Sequence, residues 1–479
     1  MYSQYTKESR IIIVGSGVFG LSTAYNLIKS GYRYIEVFDR TNYDNEKYSP
    51  LRQSDSASGD INKFFRIYYE DKSLYSKLAI EALDIWNTWN VEIQNLSDED
   101  KARFIDDDLE LIRQSWTQYS LTSERDMLRA KLTGLDRKLD VIKDLRRRGK
   151  ISTVSGTLDS IGKMLKADKA CFYVKILLEN EGVVFHYGDE GTFVSPIHSP
   201  GSATTIKGIK TKDGKEHKAD LVVVSAGPWT TSLIPQLQNR TQASLANIVY
   251  LEIPKSRQDL RDKYSEYPHI QWKTTSSEFD RNEGKFAGEG GFAFFPNTKK
   301  EGILKVNTRQ TKCLNPIKIG DTYISVPKTL GDEKLPKDVI QEAKDIFLTL
   351  CPDVVSLPGV KLQSKLLWYT DAINSDFIID FVPGYKNLLV ATGGASHAFK
   401  FLPVLGKTVV SRLLGEENCY TELFRWKSEE DIIVDNYGLK VKDITVDKRR
   451  NFNNVVLFDE NDLIFDENDL SRLKSVTLA

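Results

Sequence analysis

Cysteine is scarce. Four occur in 479 residues, at positions 171, 313, 351 and 419. They are far apart, with neither a paired metal-ligand spacing nor a disulfide-dense pattern, which suits a reducing compartment. A surplus of one charge is also missing. Lys+Arg is 66 against 67 Asp+Glu, a net charge of -1, so nothing suggests general attraction to nucleic acid or to an anionic membrane. No apolar run approaches the roughly 20 residues needed to span a bilayer. The first residues, MYSQYTKESR, are polar and lack a secretory apolar region. The last, KSVTLA, are not a peroxisomal S-K-L address. The expectation is a cytoplasmic, monomeric enzyme, with a peroxisomal location as the alternative, and with no nucleic-acid or membrane partner and no metal.

What is present is ordinary for a globular chain: 40% hydrophobic and 28% charged residues. The length allows two or three domains. RIIIVGSGVFGLSTAYNLIKSGYRYIEVFDR, from Arg10 to Arg40, reads as strand, glycine turn, helix and strand. A polar, turn-rich loop follows. Residues 97–150 are rich in charge and are expected to be helical, with Arg146 to Arg148 as a solvated helix end. A strand and glycine turn return in DLVVVSAGPW, and again in NLLVATGGASHAFKFLP. Between them, residues 245–360 alternate and are rich in aromatics, which is α+β character. Near the end FDENDL occurs twice, at Phe458–Leu463 and Phe465–Leu470. This acidic repeat reads as a duplication on a surface helix or extended tail, or as a short partner-binding motif.

Gly15, Gly17 and Gly20 form GxGxxG between the first strand and helix. The glycines permit a tight turn and close backbone approach to a pyrophosphate, and the helix N-terminus favours the anion. Asp39 follows Gly20 by 19 residues, at the end of the next strand, where a ribose hydroxyl partner belongs. The chain therefore binds a dinucleotide. Enzymes that use NAD usually complete their sheet contiguously. Here the second strand–glycine element arrives about 200 residues later. That layout is typical of FAD enzymes.

A second stretch, GILKVNTRQ from Gly302 to Gln310, reads as a half-buried strand interrupted by Lys305 and followed by Arg309. A buried cation is costly unless it is paired or has a task.

Six motifs in order resemble a family: VGSGVFGLSTAYNL, SASGDINKFFRIYY, VSAGPW, GFAFFP with ILKV, LWYTDAINSDFIIDF and GGASHAFKFLP. The chain resembles the flavin-dependent amine oxidases related to monomeric sarcosine oxidase, pipecolate oxidase, saccharopine oxidase and fructosyl amino acid oxidase. The fungal saccharopine and fructosyl amine branch is nearest in wording. The resemblance implies α/β plus α+β architecture: a Rossmann-like FAD-binding domain of the glutathione-reductase type with an inserted antiparallel-sheet substrate domain. It divides the chain into FAD-binding segments 1–90, 151–240 and 361–430, a helical segment 91–150, a substrate domain 241–360 and an acidic tail 431–479. It implies oxidation of a secondary amine: hydride passes to the flavin, the imine hydrolyses, and O2 is reduced to H2O2.

The resemblance also assigns roles. Lys305 falls on the lysine over the flavin that activates oxygen, a fixed cation where charge develops. Lys400 falls on the lysine that binds the substrate carboxylate. Lys63 and Arg66 flank flavin and substrate; three apart, they face the same way on a helical turn. Tyr369 lies beside the substrate. To the cofactor it assigns Gly15, Gly17, Val18, Phe19, Gly20, Asp39, Arg40, Ser58, Asn62, Lys63, Val194, Ala226, Gly227, Trp229, Gly394, His397, Phe399 and Lys400. His397 is as readily structural.

Two positions depart from the family. Most members carry a flavin-linking cysteine two residues before the Tyr369 position; here Leu367 stands there. Non-covalent FAD is expected. Arg309 stands where fructosyl amine oxidases carry a glutamate, and a guanidinium suits an extra carboxylate. Saccharopine, with three carboxylates, is therefore the first expected substrate, ahead of pipecolate- or sarcosine-like amines. A deglycating fructosyl amino acid oxidase, a flavin dehydrogenase or a flavoprotein without catalysis are the alternatives.

Overall fold

A computed structural model describes residues 5–52, 56–67, 69, 73–115, 117–120, 156–159, 162–273, 291–296, 301–308, 313–328, 334–372, 375–428 and 451–474. The apolar run near the start forms β1 (Arg10–Val14), followed by α1 (Val18–Lys29) and β2 (Tyr34–Asp39). β1 pairs in parallel with β2 on one side and with Leu221–Val224 on the other. The full sheet has six strands, in the order Ile378–Phe381, Leu388–Thr392, Leu221–Val224, β1, β2 and Val184–Tyr187. All neighbours are parallel except the first pair.

Alternation explains why β1 is apolar throughout. Ile11 and Ile13 join a core with the helices, whereas Ile12 and Val14 join Ile206 and Ile209 of a three-stranded sheet on the opposite face. A strand covered on both faces has no solvent side on which to place polar residues.

A second sheet roofs the first unit. Its order is Gly156–Asp159, Thr117–Ser120, His269–Lys273, Gly291–Phe295, β4 (Ile303–Thr308), Thr241–Glu252 and β5 (Leu362–Ala372). The short strand β3 (Asn62–Phe65) belongs to a separate three-stranded sheet. One face of the roof, including Leu304 and Val306 of β4, packs on α2 (Lys337–Leu350). The other face carries Ala246, Ile248, Tyr250 and Leu367. By period-two alternation, Ile303, Lys305 and Asn307 share that face of β4.

Two expectations need correction. Residues 97–150 are helical only in one short stretch where described, Asp98–Ala102, and Ile112–Gln114 and Thr117–Ser120 are strands. Residues 121–155, with the arginine run, lie outside the described residues. β5, placed by sequence with the third cofactor segment, pairs antiparallel with Thr241–Glu252 over its whole length and so belongs to the roof.

The FDENDL repeat docks on α2. Phe458 and Phe465 are both buried in the core beneath the roof, and Leu463 and Leu470 pack against it. Asp462 pairs with Lys337 and Asp469 with Lys344, each at 2.8 Å. The repeat and the two lysines share one spacing of seven residues, about two helical turns. The two ion pairs differ in burial. Lys344 and Asp469 are under 10% exposed, whereas Lys337 is half exposed. Replacing Asp469 with asparagine leaves Lys344 buried without its counter-charge and is expected to cost about 3–5 kcal/mol. The same change at Asp462 is expected to leave stability nearly unchanged. Urea unfolding of the two variants, side by side, checks the contrast.

Candidate active site

The glycine turn is built for close approach. Gly15 has φ +105°, and a side chain there would meet the Ser225 carbonyl at 2.4 Å. A side chain on Gly20 would overlap the Gly15 carbonyl at 1.8 Å, so Gly20 serves packing of α1 on the turn. Gly17 caps α1 without a side-chain hydrogen bond. The Val18 N–H donates to Ser58 Oγ at 2.8 Å, and Val18 and Phe19 open onto a cavity of about 670 Å³. Asp39 borders this cavity. Its carboxylate accepts from the Ser16 N–H (2.8 Å) and the Thr41 N–H (2.9 Å), and burial still raises its pKa above the ordinary value. A part-buried carboxylate in that state gains from further donors, such as ribose hydroxyls. Arg40 lies over the Trp229 ring at 4.1 Å.

The roof closes the cavity from above. Lys305 projects down from β4 and is 2% exposed. Its Nζ donates to Asp60 Oδ2 at 2.9 Å and to the Asn62 carbonyl, and lies 3.9 Å from the Phe295 ring centre. Asp60 Oδ2 also accepts from Lys63 at 3.1 Å, and Oδ1 accepts from the Tyr250 hydroxyl at 3.3 Å. One carboxylate therefore anchors two ammonium groups, and the trio keeps a net positive charge. Burial lowers Lys305 to about 8 against the upward pull of Asp60. The two lysines more than offset burial at Asp60, whose pKa lies below the ordinary carboxylate value.

Lys400 enters from the loop after Leu388–Thr392, in the 3-10 turn Phe399–Phe401. It is 4% exposed, and its Nζ donates to the Tyr69 hydroxyl. Tyr69 also meets His397 Nδ1 at 3.1 Å, and His397 Nε2 faces the Ser375 carbonyl at 2.9 Å. The Arg66 guanidinium lies over the Tyr69 ring at 5.0 Å. Burial, and then Arg66, holds Lys400 well below the ordinary lysine range. Among the described residues no carboxylate pairs with Lys400. An incoming carboxylate would supply the missing counter-charge.

The cavity brings together most of the residues expected from sequence. It is bordered by Gly15, Gly17, Val18, Phe19, Asp39, Arg40, Ser58, Lys63, Arg66, Ala226, Gly227, Trp229, Lys305, Tyr369, Gly394, His397, Phe399 and Lys400. Three expected residues are placed otherwise. Gly20 packs the helix. Asn62 turns its side chain into a buried environment and offers its carbonyl to Lys305. Val194 is 55% exposed, because alternation along its strand sends Phe193 to the cavity instead. The helical turn expected for Lys63 and Arg66 is strand β3. Antiparallel pairing with Lys163–Lys166 holds it extended, and Arg66 reaches the cavity from just beyond its end. Arg309 lies outside the described residues.

Asp60 and Tyr69 had no role in the sequence reading, though both lie in SASGDINKFFRIYY. The signal for Asp60 was Lys305 itself: a lysine on an apolar strand calls for a carboxylate nearby.

The FAD dependent oxidoreductase family model matches residues 10–412. This chain belongs to that family. The residues present fit the cofactor: the glycine turn and uncapped α1 for the pyrophosphate, Asp39 for a ribose, and a roofed cavity for the ring. Among curated relatives of this FAD dependent oxidoreductase is the L-saccharopine oxidase of Schizosaccharomyces pombe. It is 26% identical over 444 residues, covering 88% of this chain and 93% of that protein. The N-methyl-L-tryptophan oxidase of Salmonella agona is 23% identical over 419 residues, covering 85% and 95%. Among solved structures, the fructosyl peptide oxidase from E. terrenum superposes with a TM-score of 0.70 at 23% identity, covering 95% of this chain and 99% of that one. That likeness establishes the fold. No helix among the described residues is long and apolar enough to cross a membrane.

Proposed function

We propose that this FAD dependent oxidoreductase oxidises the C–N bond of a secondary-amine amino acid and passes the electrons to O2, giving H2O2. The observation that carries the reading is Lys400, a buried lysine facing the same cavity as Lys305 and paired, among the described residues, with no carboxylate. FAD would supply the two-electron chemistry, accepting hydride from the carbon next to the amine nitrogen. Lys400 and the Tyr69 hydroxyl bind and orient the substrate carboxylate. Arg66 and Lys63 keep that region positive. The apolar roof residues Ala246, Ile248 and Leu367 exclude water from the reacting carbon. Lys305 holds positive charge where oxygen is reduced.

Saccharopine is the first substrate, supported by the oxidase relative of that name and by the charge of Arg309. Pipecolate- and sarcosine-like amines come next. The cofactor is held without a covalent bond, because none of the four cysteines borders the cavity and Leu367 occupies the linking position. Scarce cysteines support a reducing compartment, the cytoplasm first and a peroxisome second.

The test is anaerobic mixing with saccharopine, pipecolate, sarcosine, proline and a fructosyl amino acid while the oxidised flavin band is followed. Bleaching by saccharopine, restored by air with peroxide release, is expected. Bleaching by the fructosyl compound instead would move the substrate to the deglycating branch. Acid precipitation is expected to release all the yellow colour into the supernatant; colour retained in the pellet means a covalent link.

A further inference from the structure

A second, smaller cavity of about 80 Å³ lies behind the ion pair of Asp60 and Lys305. Neighbouring residues divide between the two cavities. Asp60 borders the large cavity and Ile61 the small one. On β4, Lys305 borders the large cavity and Ile303, two residues away on the same face, borders the small one. The Asp168 N–H donates to the Asp60 carbonyl at 2.9 Å. Asp168 also borders the small cavity, together with Lys169 and Glu301.

We propose that the small cavity is a proton inlet for the oxygen half-reaction, with Asp168 as the positioning residue that holds a proton behind Lys305. This rests on the oxidase reading above. Reduction of O2 to H2O2 takes two electrons and two protons. When bound, the reduced cofactor would supply both electrons and one proton. The second proton leaves Lys305 Nζ, which becomes a neutral amine. Asp168 gives its carboxyl proton to that amine through water, and solvent returns a proton to Asp168 through the cavity. A space of this size holds a few waters, and it has polar partners for them.

The charges around the route favour the assignment. Asp168 is buried, and burial together with the Glu301 carboxylate raises it well above the ordinary value, which favours its protonated form. Lys169 and Lys166 oppose that shift without cancelling it. Lys305 faces Asp60, Lys63 and Asp168, and titrates at about 8. Burial thus moves the two groups toward each other, the carboxyl up and the ammonium down, which favours proton transfer between them.

The test uses the holoenzyme with Asp168→Asn, and Ile303→Phe as a second variant that fills the cavity without removing a polar group. Stopped-flow reoxidation by O2 is expected to slow at least 10-fold in both, with a larger solvent isotope effect. Anaerobic bleaching by substrate is expected to stay within twofold of wild type. An infrared band of a protonated carboxyl is expected in the apoprotein and lost in Asp168→Asn. If either folded variant keeps the wild-type reoxidation rate and isotope effect, the inlet is overturned while the oxidase reading stands. If the wild-type protein is not reoxidised by O2, the oxidase reading fails and the inlet fails with it.

Discussion

Replacing Lys305 with methionine is expected to slow reoxidation by O2 about 10²–10³-fold while substrate still bleaches the flavin at nearly the wild-type rate. That range is what loss of one preorganised charge at a reacting centre usually costs. The variant should fold. Methionine matches the stem of lysine on the roof face, and Asp60 keeps Lys63 at 3.1 Å and the Tyr250 hydroxyl at 3.3 Å as partners. The wild type should also reveal the group by pH. Lys305 titrates at about 8, so it is cationic below that value and neutral above it. The second-order rate with O2 is therefore expected to fall as pH rises through about 8. In the methionine variant that fall should disappear. Oxygen rates unchanged by the substitution would remove Lys305 from the chemistry and leave Asp60 as a structural counter-ion.

The two lysines also show what could be read from the sequence. β1, α1 and β2 were legible because a buried parallel strand, a glycine turn and an amphipathic helix leave strong local patterns. Lys305 was legible only as an anomaly, a cation in an apolar strand given a task by resemblance, and Lys400 only through the resemblance. Their partners were not legible by local rules. Asp60 is 245 residues from Lys305, and Tyr69 is 331 from Lys400. Such pairs are fixed by how the roof meets the first sheet, and no periodicity reports that. β3 misled for a different reason. Three-residue spacing suits a helical turn, but the pairing that made NKFF a strand lies 100 residues away, at Lys163–Lys166. Val194 failed by one position, because a strand offers alternate residues to opposite sides. In the tail, the period of the repeat was visible, but its match to Lys337 and Lys344 required α2.

Replacing Lys400 with methionine is expected to lower kcat/KM for a carboxylate-bearing amine by about 2–5 kcal/mol, roughly 30- to 4,000-fold. The size follows from burial: a contact between ammonium and carboxylate made away from water loses most when one partner is truncated. An amine lacking the carboxylate makes no such contact, so its kcat/KM is expected to change little. That comparison separates recognition from general damage. If both amines lose equally, Lys400 supports the site rather than the substrate. The same substitution should act in the opposite direction on stability. Burial, with Arg66 beside it, holds Lys400 well below the ordinary lysine range in the folded protein. In the unfolded chain it titrates normally, near 10.4. Below that value the unfolded state binds the extra proton, so the lysine disfavours folding near neutral pH. The penalty shrinks as pH rises toward 10.4. Lys400→Met is therefore expected to raise the melting temperature of the apoprotein at pH 7, with the gain diminishing at higher pH. Carboxylate ligands should stabilise the wild type and have little effect on the variant. A cation kept at a cost to the empty protein, and repaid when a carboxylate arrives, is what a binding residue requires. A lysine retained for packing alone would show neither effect.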